Sequence, residues 1–190
     1  MDYGLIITGL VLNSLLGTFC LQELAKGCGS NGKHCIGRPH DCIPDPRLCQ
    51  QLAAVTTLSA SLVHVELRSK GHLNRNRWLA LGFSEDENMG RDAVIHCIQN
   101  GTFTEAQLTY NPEHLNIQGL PQAPVHVTEA TVEDDVLHCA LDLDKKFIVQ
   151  EQEFDLHNSH HLLFSTGPVK AGQIMKHDKV PIISTEAYAF

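Results

Sequence analysis

The sequence predicts an all-β chain, an antiparallel sandwich or barrel preceded by a cysteine-rich lead. Three observations predict it. From Ala53 onward the apolar residues recur with period two, the signature of strands with one buried face. At least seven strand-length runs are separated by turn signals, Asn100-Gly101, Asn111-Pro112, Gly119-Leu120-Pro121 and Gly167-Pro168 among them. No segment carries the apolar stripe of an amphipathic helix.

In chain order, residues 4–19 (GLIITGLVLNSLLGTF) come first as a 16-residue apolar run. A bilayer span needs about 20 residues, so the run reads as the core of a signal peptide. Thr18 and Cys20 supply small residues for cleavage after Cys20, although MDY offers no positive leader. Residues 1–20 are thus a predicted signal peptide and 21–50 a lead segment. An uncleaved anchor would instead hold the chain on the outer face of a membrane.

In the lead, Cys28, Cys35, Cys42 and Cys49 fall at intervals of seven. Gly27, Gly29, Gly32, Gly37, Pro39, Pro44 and Pro46 preclude the helix that would align them. In an exported chain such cysteines form cystines, here with three possible pairings. No Cys-x-x-Cys pair supports zinc.

The strands follow over 51–185, in the order AAVTTLSASLVHVELRS, RWLALGFS, DAVIHCIQ, TFTEAQLTY, PVHVTEATV, DVLHCALDLD and HLLFSTG. In the first run Val63, Val65 and Leu67 alternate with Leu62, His64, Glu66 and Arg68. Cys97 and Cys139 each close an apolar alternating run and are predicted to join two strands. Asn100-Gly101-Thr102 is a glycosylation sequon in a predicted turn. Residues 186–190 are left as a tail.

Composition narrows function by exclusion. Fourteen basic against 22 acidic residues give a formal charge of −8, the wrong sign for a phosphate backbone, so nucleic acid is not an expected partner. No phosphate loop, nucleophile elbow or His-Glu-x-x-His helix is present, and no catalytic residue is assigned. Glu85, Asp86, Glu87 and Asp92 lack calcium-loop spacing, because Asn88, Met89 and Arg91 interrupt it. His160 and His161 are adjacent on a strand and point to opposite faces, which prevents a shared metal. Met89 is an apolar thioether inside a hydrated loop with no apparent core to enter, although by residue type alone a methionine is more often a packing residue than a ligand.

WLALGFSEDENMGRDAVIHC resembles the central signature of the DOMON domain as found in the ferric-chelate reductase family: an apolar strand, an acidic loop ending in Met-Gly-x-Asp, then a strand ending in cysteine. HHLLFSTGPVKAGQIMKHDKVPIIS resembles that family's closing motif, with Ile-x-x-His before a proline, and CGSNGKHCIGRPHDC resembles its cysteine-rich lead. Thr166 stands where the closing motif usually has alanine before the glycine. The resemblance covers about residues 28–185.

It implies an immunoglobulin-like antiparallel β-sandwich and, as in the haem-binding members, one haem b with Met89 and His177 as axial iron ligands. Met175 is a rival sulfur, but it lies too near His177 to reach the opposite face easily. Without Cys-x-x-Cys-His no thioether link to the macrocycle is available. Two axial ligands fill the iron, which suits electron transfer. The reductases carry a membrane cytochrome b after this domain, so a membrane cytochrome b or another redox protein is the implied partner, and ferric reduction needs that partner. The alternative is a haem-free extracellular interaction or ligand-binding module.

Overall fold

The computed structural model describes residues 21–71 and 75–190. The expected signal peptide lies outside them. Among the described residues thirteen strands run in order: β1 (Lys33–Arg38), β2 (Gln51–Thr57), β3 (Leu62–Lys70), β4 (Arg77–Ser84), β5 (Asp92–Asn100), β6 (Phe103–Asn111), β7 (Val125–Glu133), β8 (Val136–Asp144), β9 (Lys146–Val149), β10 (Gln152–Asp155), β11 (His161–Lys170), β12 (Gln173–Ile174) and β13 (Ile182–Ile183).

They form an antiparallel β-sandwich. One sheet runs β1-β2-β3-β8-β7, the other β12-β11-β4-β5-β6 with β13 also on β11, and β9 and β10 make a separate hairpin. Val63, Val65 and Leu67 face Leu79, Leu81, Phe83, Ile95 and Phe164 in one core in which every one of these residues is 0–1% exposed. The alternation along β3 follows the expected parity, since Leu62, His64, Glu66 and Arg68 lie on the other face. The Cys97–Cys139 disulfide crosses between the sheets from β5 to β8.

Four features depart from the sequence reading. The run 53–69 is two strands, turning at Leu58–Ser61. The Ser59 hydroxyl accepts from the Ser61 and Leu62 amides at 3.2 and 3.1 Å, supplying locally what a ladder would otherwise supply. The β9–β10 hairpin had no expected counterpart, and it stacks Phe147 on Phe154 at 5.4 Å.

The lead is more ordered than a loop. Its cystines are Cys28–Cys35 and Cys42–Cys49, and β1 pairs with β2 along its whole length. Leu21 and Leu24 pack with Cys42, Cys49, Leu52 and Ala54. Residues 186–190 are not a loose tail. Tyr188 bridges His160, and Phe190 is buried edge-on against Phe83 at 5.9 Å.

Candidate functional site: a cavity under two loops

The site lies on the outer face of the second sheet. Strands β4 and β5 are buried on both faces, although only one faces the sandwich core. On the outer side Trp78, Ala80, Gly82, Val94, His96, Leu163 and Ser165 form a floor across β4, β5 and β11. Ala80 and Gly82 keep it low: a Cβ on Gly82 would enter space in ordinary contact with Leu163 and Val94. Above the floor is a cavity of about 870 Å³, within the range of about 300–1,000 Å³ typical of small-molecule sites.

The 85–91 loop forms one wall. The Ser84 hydroxyl donates to the Asn88 carbonyl at 3.2 Å and accepts from the Asp86 amide at 3.3 Å, while the Asp86 carboxylate accepts from the Asn88 amide at 2.6 Å. These bonds wind the polar half of the loop on itself. Beyond them Met89 lines the cavity. Gly90 follows at φ +155° and Arg91 at φ +59°, and the Gly90 amide donates to Asp92 Oδ2 at 2.8 Å. Asp92 is wholly buried. Burial pushes its carboxyl up from the ordinary range, against the pull of the Gly90 amide.

The opposite wall is the segment after β11. The Met175 amide donates to the Pro168 carbonyl at 3.0 Å, and the Trp78 indole N–H donates to the Met175 carbonyl at 3.0 Å. Arg77 pairs with Asp178 at 2.8 Å, and that bond holds the Asp178 carboxyl below its ordinary range. Thr166, the departure from the closing motif, is buried. Its hydroxyl donates to the Trp78 carbonyl at 2.7 Å, so the substitution adds a tie between β11 and β4.

His177 is held between these ties. Its Nδ1 lies 3.0 Å from the Lys179 carbonyl oxygen. A carbonyl only accepts, so Nδ1 carries the proton and the Nε2 lone pair is free to ligate.

The structure therefore brings Met89 and His177, far apart in sequence, to one cavity. Met175 lines it too and is 39% exposed. His64 pairs with Asp142 on the other sheet at 2.7 Å. His160 and His161 bond different carbonyls, those of Asn158 and Ser184, and neither lines the cavity. Asn100 is exposed at the end of β5.

Sequence reasoning missed His96. It is buried in the floor, its Nδ1 is 2.9 Å from the Thr109 hydroxyl and its ring is edge-on to Trp78 at 5.3 Å. Burial pushes its pKa down to about 3, so it is neutral. The signal was present in DAVIHCIQ, where His96 shares a face with Asp92 and Val94. That face reads as solvent-facing unless β5 is known to be covered on both sides.

Among the described residues no group of three or more His, Cys, Asp or Glu side chains is arranged to hold a bare metal ion. A thioether and an imidazole nitrogen at the edge of a largely apolar floor are donors of the kind that complete the coordination of a metal already held in a macrocycle.

The DOMON domain family matches residues 54–167. A putative ferric-chelate reductase 1 homolog of Drosophila melanogaster is 28% identical over 83% of this chain and 24% of its own length. Ferric-chelate reductase 1 of Mus musculus is 26% identical over 85% of this chain and 26% of its own. The chain thus spans about a quarter of the length of these two relatives. A Homo sapiens DOMON domain-containing protein is 28% identical over 64% of this chain and 41% of its own. In three dimensions the fold is similar to the cytochrome domain of Myriococcum thermophilum cellobiose dehydrogenase, with a TM-score of 0.52 at 10% identity, covering 70% of this chain and 73% of that one. The family match spans most of the sandwich and both strands that flank the Met89 loop, and the chain belongs to the DOMON domain family.

Proposed function

We propose that this domain binds one haem b in the cavity, through Met89 sulfur and His177 Nε2, and serves in extracellular electron transfer with a redox partner. The observation that carries the reading is the meeting of Met89 and His177 on one cavity, with the His177 Nδ1 proton engaged by the Lys179 carbonyl. When bound, the haem would supply a one-electron couple; thioether ligation favours its reduced state relative to a second imidazole. The protein's part would be to hold the group through Met89 and His177 and to exclude water from the floor. The Trp78–Met175 and Arg77–Asp178 contacts do this for the His177 side.

The names of the relatives support a ferric-reductive setting, in which a membrane cytochrome b would be the electron-exchanging partner. The same reading sends the chain through a secretory route. There exposed Asn100 would carry a glycan, visible as a mass decrease on enzymatic deglycosylation that Asn100→Gln abolishes.

The test is the visible spectrum of the mature domain expressed with haem supplied. A sharp low-spin spectrum is expected on reduction, with the haem extractable into acidified organic solvent. His177→Ala should abolish binding or leave a weak high-spin site. Met89→His should stay low-spin at a lower potential. A colourless wild-type protein under haem excess would refute the reading and leave a haem-free binding module in its place.

A further inference from the structure

We propose that Asp92 is the positioning residue that sets Met89 on the cavity, acting through the Gly90 amide. This rests on Met89 being an axial ligand. Four acidic residues occupy or border the loop, and they differ in kind. Glu85, Asp86 and Glu87 are exposed, whereas Asp92 is wholly buried at the start of β5. Its strand partner is Asn111 of β6, so its backbone is fixed by the sheet.

From that fixed point Oδ2 reaches back to the Gly90 N–H at 2.8 Å. Among the described residues this is the only hydrogen bond made by the 89–91 backbone. The bonds among Ser84, Asp86 and Asn88 end one residue short of Met89. Met89 is therefore tied to the sheet from its C-terminal side by a single carboxylate contact.

That contact also sustains the unusual backbone that follows. Gly90 at φ +155° takes a conformation that side chains disfavour, and Arg91 at φ +59° is left-handed. Two such residues in sequence persist only when something outside them holds the turn. The other oxygen, Oδ1, is buried and makes no hydrogen bond of good geometry, while the Ser84 and Asn111 side chains lie close enough to pull the carboxyl's pKa down against burial. A thioether is a weak, neutral ligand, so its occupancy depends on how far the loop is ordered beforehand. The acid of the Met-Gly-x-Asp stretch is thereby given a mechanical role distinct from that of either ligand.

The experiment compares wild type, Asp92→Asn and Asp92→Ala. Asparagine keeps an oxygen for the Gly90 amide, and alanine does not. In the haem-free protein, amide exchange across 85–91 reads the tie directly. Asp92→Ala should speed exchange at Gly90 by about tenfold, and Asp92→Asn should leave it near wild type. In the haem-loaded protein, electron paramagnetic resonance reads the ligand. Asp92→Ala should convert low-spin to high-spin haem with His177 still bound, and Asp92→Asn should remain low-spin. Low-spin haem and wild-type exchange in Asp92→Ala would overturn the proposal. So would Asp92→Asn failing as alanine does, because charge and not the amide contact would then matter. If wild type itself takes no haem, the axial reading fails before any variant is compared, and this role for Asp92 falls with it.

Discussion

His96 enters the fold uncharged, and that sets one limb of the stability profile. An unfolded imidazole takes a proton near pH 6.5, while burial keeps the folded one neutral to about pH 3. Between those values the unfolded chain binds the extra proton, so the native state loses stability as pH falls through that window and recovers it fully above. The slope from this one group is at most about 1.4 kcal/mol per pH unit. Glu66 acts lower. Burial pushes its carboxyl up, but His138, Arg68 and His64 outweigh burial and hold it at about 2. Its contribution is complete above its unfolded value and is lost as pH falls toward 2. We expect His96→Gln to flatten the dependence of the urea midpoint on pH between 6.5 and 4 without touching the Glu66 limb. An unchanged slope in that window would show that His96 is not the group responsible.

At the scale of elements, the pairing of β4 with β11 carries the closing segment. Trp78 pairs with Gly167, and a Cβ there would stand 2.6 Å from Trp78 Cζ2. The indole is 5% exposed and its N–H holds the Met175 carbonyl, so it has little room to yield. Gly167→Ala should therefore cost about 1–3 kcal/mol, the usual range for overpacking, and free the His177 side of the cavity. Trp78 is the only tryptophan, so its fluorescence reports the event without interference. A red shift in native emission together with a lower denaturation midpoint is expected; wild-type emission and midpoint would show that the sheet absorbs the methyl group.

For the whole molecule, the three disulfides among the described residues are unequal. Cys97–Cys139 spans 42 residues and joins the two sheets, whereas each lead cystine spans seven. In the loop-entropy account the longer closure restricts the unfolded chain more. Replacing Cys97 and Cys139 by alanine should cost about 2–5 kcal/mol, and the same change at Cys28 and Cys35 should cost less. Denaturant titration of the two double variants decides it, and a larger loss from the lead pair would reverse the ranking.

Much of this was legible in the residues, because it depends on local order. Period-two alternation places Val63, Val65 and Leu67 on one face whatever the partner sheet is, since side chains on a strand alternate by geometry. The same rule separates His160 from His161, whereas Met89 was singled out by the resemblance of its loop to a family motif and not by periodicity. Other features needed the packed chain. Which lead cysteines pair depends on how β1 folds back on β2, and the turn at Ser59 interrupts an apolar rhythm that never changes parity. The double burial of β4 and β5, which makes His96 a floor residue and not a surface one, comes from the loop that joins them and from the segment after β11, which together cover the sheet's outer face. The free Nε2 of His177 follows from a contact to Lys179 that no spacing rule specifies. Alternation reports only which face a residue occupies; what covers that face is decided by tertiary contacts between segments far apart in sequence.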